Sequence, residues 1–444
     1  MIRDSIKAAG RYGAQSKTTL FSVVGVFLGI TMFLLPPGLL GTNQGIGVTL
    51  LSIILLAILL PSLVASWLPQ DTKAVVITIL LSLWILFQMS FYGNVSIEEF
   101  KLAGGAITGI LIGLFGAKAV SAVGSSEQVF KILIWGCALL SASAIISFLV
   151  GSVAGWDAIH VANFSLKSSG NGKDFGFDDW SLYYPVTVTE GSTQFGNQEI
   201  PRACGLFREP GIFQMFLVTS FFSIDFIRVK WPQLIKALLF GGILLTFSTI
   251  GVPVFFALLI YRSVMQRRAT RKIIALALST SLSVIIFLSV GDSLGISRKL
   301  DPVHGTDNRS AGIIDSMTAV ADHPIMGYGI TNRINVIVRK EEAIEGVCLF
   351  ASIHRFGLVG LLLYLAILSI ALRRYSWASL PVIAPVVATI CVAQPIYFSA
   401  SVFFLLFSPL HTLGGLPIYG SRRFIAKRPL VIADAAHLRL RSSR

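Results

Sequence analysis

The chain has 444 residues, 54% of them hydrophobic and only 13% charged, whereas a soluble domain carries about 25% charged residues. That balance excludes a soluble protein and places most of the chain in lipid. The formal net charge of +14 does not point to nucleic acid, because the basic residues sit in short segments between apolar runs, as positive-inside orientation requires.

Apolar runs of membrane-spanning length recur from one end to the other. The first five cover residues 20–40, 46–66, 74–92, 102–123 and 129–153. Arg3, Lys7, Arg11 and Lys17 precede the first run. Pro36-Pro37 follow it without a small-residue cleavage site, so it reads as a retained anchor rather than a signal peptide. A polar loop over 154–210 comes next, then an apolar run at 211–227. Residues 234–261 are long enough for one helix, but a single crossing would put Arg262, Arg267, Arg268, Arg271 and Lys272 on the same side as the acidic loop. The centre of that run reads Thr246-Phe247-Ser248-Thr249-Ile250-Gly251-Val252-Pro253, and such residues break helices. Two helices are therefore predicted, 232–247 and 251–267, with their turn near the outer face. Runs at 273–290, 356–372, 380–394 and 396–413 complete about twelve spans, separated by a second large loop over 291–355.

The organisation expected is a five-helix region over 1–153, a first periplasmic loop over 154–210, and central helices over 211–290 with a break near 246–253. A second periplasmic loop over 291–355, C-terminal helices over 356–413 and a basic tail over 414–444 follow. Both termini fall in the cytoplasm by the lysine and arginine bias of the short loops. The tail reads either as a segment lying on anionic lipid or as a solvated charge run. No soluble domain of any size and no internal repeat is visible. The fold expected is an all-α polytopic integral membrane protein with two long extracytoplasmic loops.

Of the four cysteines, Cys204 and Cys348 both fall on the outward side of this topology, where a disulfide is permitted. None of the four has metal or redox spacing. The first loop carries Phe175, Phe177, Trp180, Tyr183 and Tyr184 among glycines and carboxylates. They read either as a sugar-binding surface or as an interfacial aromatic belt.

Three constellations can carry chemistry. The first is Pro201-Arg202-Ala203-Cys204-Gly205-Leu206-Phe207-Arg208-Glu209-Pro210-Gly211, polar loop running into apolar helix. Charge at a membrane edge needs a partner, and arginine is the residue that grips pyrophosphate through several donors at once. Glu209-Pro210-Gly211 also reads as a plain helix start. That accounts for Glu209 and Pro210 but not for Arg208, since a cation at a helix N-terminus is unfavourable without an anion. The second is Asp307-Asn308-Arg309-Ser310 followed by Asp322-His323-Pro324-Ile325-Met326-Gly327-Tyr328-Gly329, with an amphipathic helix between them. Arg309 again stands at a helix start, either paired with Asp307 or awaiting an anion. The third is His354-Arg355-Phe356-Gly357-Leu358-Val359-Gly360, where His354 can take a proton near neutral pH or serve as an interfacial anchor.

Taken in order, Arg202-x-x-Gly205-x-Phe207-x-Glu209-Pro210, the break at 246–251, Arg309 with Asp322-x-Pro324-Ile325-x-Gly327-x-Gly329, and Gly357-Leu358-x-Gly360 resemble the O-antigen polymerase and ligase family (Wzy and WaaL type) of bacterial surface-polysaccharide assembly. The resemblance spans residues 202–364. It implies a GT-C-like membrane glycosyltransferase of the bacterial inner membrane, working at the periplasmic face without cofactor or metal. The donor it implies is an oligosaccharide on undecaprenyl pyrophosphate, with a chain-length regulator and a flippase as candidate partners. Arg202 matches a family arginine that binds the donor pyrophosphate. Arg208 and Arg309 are the further candidates, because Thr249 stands where the family often has a second arginine. Glu209, then Asp322 and His354, are candidate bases for the acceptor hydroxyl. Ligases carry a histidine about eleven residues before the glycine that matches Gly357; Gly346 stands there instead, which favours a repeat-unit polymerase. A ligase, a flippase or transporter, and a non-catalytic scaffold are the alternatives. The spans are nearly free of charge apart from Lys118 and Asp225 near their ends, which speaks against a translocation path.

Overall fold

In lipid the backbone polar groups must be satisfied within the segment, so apolar runs fold as helices. The computed structural model describes residues 19–35, 45–67, 69–91, 97–164, 180–195, 198–207, 209–248, 251–265, 321, 323–329, 348–377, 379–393 and 398–408. In chain order the first helices are α1 (Thr19–Leu34), α2 (Gly45–Ala65), α3 (Pro69–Phe91), α4 (Ile97–Ala122), α5 (Ser126–Ala154) and the single turn α6 (Trp156–Ile159). After the strands come α7 (Pro210–Ser223), α8 (Pro232–Leu245) and α9 (Gly251–Met265). The last are α10 (Cys348–Leu372), α11 (Leu380–Ala388), which runs into a π-helical turn Thr389–Ala393, and α12 (Ala400–Phe407).

Among the described residues, α2, α3, α4, α5 and α10 are long and apolar enough to cross a membrane. Helices α1, α7, α8, α9 and α11 are apolar but shorter. The chain is thus a largely helical membrane protein. The predicted span at 273–290 lies outside the described residues, as do the basic tail, residues 1–18 and most of the second loop.

One expectation needs correcting: the chain is not all-α. The stretch read as a loop carries a four-stranded antiparallel sheet, ordered β1 (His160–Phe164), β2 (Trp180–Tyr183), β3 (Thr187–Phe195), β4 (Gln198–Ala203). Strand β3 opens Thr187-Val188-Thr189, an alternation of β-branched residues that suits a pleated surface with one buried face. The signal is short, so against long apolar runs it passes for loop. Trp180, Val188 and Cys204, with Leu182, form a small core of their own beneath the sheet.

Helix lengths decide where the sheet sits. Helix α5 has 29 residues, about 43 Å at 1.5 Å per residue. Helices α7 and α8 have 14 each, about 21 Å, against a hydrocarbon core of about 30 Å. Helix α8 lies along α5, with Gly242 against Ser141, and ends one turn later. At that level α5 turns to the sheet: Ser143 Oγ and Ser147 Oγ lie 2.7 and 2.8 Å from Thr187 Oγ1. Ser147 also donates to the Tyr184 carbonyl at 2.6 Å. The sheet therefore stands over the ends of the short helices, held against the last turns of α5.

The other end of the bundle is tied by charge. Asp71, in the first turn of α3, meets Lys118 of α4 at 2.7 Å and Arg374, just past α10, at 2.9 Å. Asp225, just past α7, meets Lys236 of α8 at 2.7 Å and Arg262 of α9 at 2.9 Å. Both carboxylates are only 6% exposed, so each cluster is a desolvated clip joining three segments. Helices α4 and α12 also approach closely, because a side chain at Gly113 would strike the backbone and Phe403 of α12. Small residues at such spacing let membrane helices pack backbone to backbone.

Candidate functional site

Strand β4 delivers the first constellation to the start of α7. Thr189 pairs with Ala203 across β3 and β4. The Cys204 N–H donates to the Val188 carbonyl at 2.9 Å, and its thiol turns to the same carbonyl at 3.4 Å. Phe207 then drops into the helical core, stacking on Phe216 at 4.3 Å and on Phe213 at 5.8 Å between ring centres. Glu209 takes the N-cap position with extended backbone, and its carbonyl accepts from Ile212 and Phe213. Capping is thus done by the backbone, not by the carboxylate. Pro210 opens the helix, where its missing N–H costs nothing.

Arg202 on β4 and Glu209 at the helix start are both half-buried. They converge on Cys204, whose thiol is fully buried and free of any disulfide. Burial pushes that thiol well above its ordinary value; the Glu190 and Glu209 carboxylates add to the shift, while its backbone hydrogen bond and Arg202 oppose it. The disulfide that the outward placement of Cys204 permits is not formed by Cys204.

The described part of the second constellation, 323–329, and the Gly357 kink of the third are brought together. Helix α10 is kinked at Gly357, which adopts φ 64° and ψ −173°, a conformation open essentially to glycine alone. A side chain there would fall on the Ile325 carbonyl. The Leu358 N–H donates to the Pro324 carbonyl at 2.8 Å, and the Gly329 N–H to the Arg355 carbonyl at 2.9 Å. Segment 323–329 therefore wraps the kink, with the His323 and Tyr328 rings edge to face at 4.9 Å.

Gln88, which sequence reasoning passed over, fastens this assembly to the far end of α3. Its Nε2 donates to the Met326 carbonyl and, at 3.4 Å, to that of Arg355. The available signal was a lone amide in an apolar helix, which is costly unless it has a task.

Gln214 is a second omission. It is fully buried one turn into α7, and among the described residues neither polar atom of its amide has a hydrogen-bond partner. It backs onto Gly251, the first residue of α9, whose N–H points to Ser248 Oγ at 3.4 Å. Gly211, Gln214, Ser248, Gly251, Pro385 and Thr389 line a narrow cleft here of about 10 Å³, room for roughly one water.

Of the remaining candidates, His354 lies on α10 three residues before the kink. Arg208, Arg309 and Asp322 fall outside the described residues, as do Phe175 and Phe177. Trp180 is buried under the sheet, while Tyr184 is exposed and Tyr183 partly so, so Trp180 serves the core rather than a surface. Among the described residues no three histidines, cysteines or carboxylates gather as metal ligands.

Helix direction sets these parts in register. Helix α3 runs from Asp71 in one ionic cluster to Gln88 at the kink, and α7 runs from Glu209 to Asp225 in the other cluster. Trp135 of α5 meets Trp231, just ahead of α8, at 6.4 Å, which puts both clusters at the same end. Arg202, Glu209, segment 323–329 and the Gly357 kink all lie at the opposite, sheet-bearing end. No family model matches this chain, and no curated protein matches it.

Proposed function

We propose that the protein is a surface-polysaccharide polymerase. It transfers a growing glycan from undecaprenyl pyrophosphate to the acceptor hydroxyl of a lipid-linked repeat unit. The observation that carries this reading is the gathering of Arg202, Glu209, segment 323–329 and the Gly357 kink at one end of the bundle. That is the end where α7 begins, α8 ends and the sheet stands. The opposite end holds Lys73, Lys118, Lys131, Arg228, Lys230, Lys236, Arg262, Arg373 and Arg374 against Asp71, Glu127 and Asp225. By the positive-inside bias that end is cytoplasmic, and the site is periplasmic, in a bacterial inner membrane.

In the transfer, the bond from the sugar anomeric carbon to the pyrophosphate oxygen breaks. A bond from that carbon to the acceptor oxygen forms, and the acceptor proton passes to a carboxylate. The electron pair of the broken bond leaves on pyrophosphate, whose charge needs fixed positive partners. Arg202 supplies one, with Arg208 and Arg309 as the others. Glu209 is the first candidate base, ahead of Asp322 and His354.

Arg202→Ala tests this in cells. The expected result is loss of long chains, by about a hundredfold or more as for other lost transition-state donors, with single repeat units still on the lipid core. Long polymer retained on undecaprenyl would mark a ligase, and unchanged chain length would remove Arg202 from the mechanism.

A further inference from the structure

We infer that the end of the bundle holding the ionic clusters binds an anionic phospholipid between α3 and α10. This stands apart from the polymerase reading. A groove of about 660 Å³ opens there, lined by Trp67, Pro69, Thr72, Val76, Ile77 and Ile370, with Lys73 at its edge. Val76 is largely exposed, so the groove opens sideways, where lipid chains lie against a membrane protein. Its lining suits an acyl chain, and its rim suits a phosphate.

The charge on that rim is not balanced. Behind the groove, and sharing Trp67 with it, lies the Asp71, Lys118 and Arg374 cluster. Asp71 offsets one of its two cations. Lys73 and Arg373 are both exposed, and Arg373 stands one helical turn past Ile370, hence on the same face. Among the described residues, four cations therefore meet one carboxylate. The buried Nε–H of Arg374 has no acceptor among the described residues. Trp67 Nε1 donates to Thr72 Oγ1 at 2.9 Å, which leaves the threonine hydroxyl proton to donate outward. Helix α3 begins at Pro69, so the positive end of its dipole opens on the same rim. A soluble anion would use the rim and leave the groove empty; a neutral lipid would use the groove and leave the surplus charge unanswered. A ligand with a negative head and an acyl tail uses both.

The test uses the full chain purified in detergent and titrated separately with phosphatidylglycerol, phosphatidylcholine and inorganic phosphate. Bound lipid is counted by native mass spectrometry. Phosphatidylglycerol is expected to bind most tightly. A basic residue at an anionic headgroup contributes about fivefold in affinity, so Lys73→Ala with Arg373→Ala should weaken phosphatidylglycerol by about 25-fold. Phosphatidylcholine should be unaffected by that pair. Val76→Trp, which fills the groove, should weaken both lipids, and Lys131→Ala, half-buried at the same end and paired with Glu127, should change neither. The single variants are read alongside, so a misfolded double variant does not leave the question open. Unchanged phosphatidylglycerol affinity in the charge variants, equal affinity for the two lipids, or inorganic phosphate binding as tightly as phosphatidylglycerol would overturn the proposal.

Discussion

At the end where α3 begins and α7 stops, Asp71 and Asp225 each sit between two cations drawn from other segments. At the end where α7 begins, Arg202, Glu190 and Glu209 gather around a buried thiol, carried by a sheet and a helix start. In the first case the charges join helices that would otherwise meet only through apolar packing, and the geometry is set by three elements at once. In the second they ride on a hairpin that reaches the helices through α5 and Phe207. Charge buried between helices is fixed by three elements at once; charge on the sheet and helix start is fixed by that platform alone.

The largest effect is expected at the clips. Asp71→Asn leaves Lys118 and Arg374 buried without their carboxylate and should cost about 3–5 kcal/mol, as loss of one member of a buried ion pair does. Thermal unfolding in detergent measures it. Replacing all three members with apolar residues of similar volume should recover most of the loss; if it does not, the cluster has a task beyond packing. Gly357→Ala comes next. It forces a side chain onto the Ile325 carbonyl in a backbone region closed to alanine, and should cost on the order of 3 kcal/mol. Faster proteolysis in segment 323–329 should accompany that loss, with Asp71 and Asp225 left in place.

Thr187→Val acts on the platform. It removes the hydroxyl that Ser143 and Ser147 share and should cost about 1–3 kcal/mol by leaving buried groups unsatisfied. Hydrogen exchange should rise in β2 and β3 while α3 and α4 stay protected. Equal loosening at both ends would show that the sheet is part of the bundle and not appended to it. The smallest effect has the opposite sign. Gln214→Met removes an amide that is buried without partners among the described residues and should raise stability by about 1 kcal/mol. A gain in melting temperature with shortened polymer would assign Gln214 to the site; a gain with unchanged polymer would leave it a packing flaw.

Much of the helical frame was legible because in lipid a run of apolar residues has one good solution, and its ends are marked by charge. The residues Thr246 to Pro253 announce a break, and α8 and α9 flank it. The sheet was not legible, since strands of four to nine residues leave little periodicity, and what buries Trp180 is Cys204, just past a distant strand. Arg202 and Glu209 stood out by type and position. Gln88 and Gln214 did not, because one amide among apolar neighbours has no motif; only its partners, or their lack, give it meaning.

By itself, then, the amino-acid order determined that the chain lives in a membrane, roughly where its helices run, and which arginines stand at an edge. Those properties follow from local transfer free energy, which adds along the chain. Tertiary structure alone decided that α7 begins and α8 ends short beneath a sheet, that segment 323–329 closes over the Gly357 kink, and that Asp71 and Asp225 each share two cations. Those depend on groups far apart in sequence meeting at hydrogen-bond distance, and no local rule encodes which will meet.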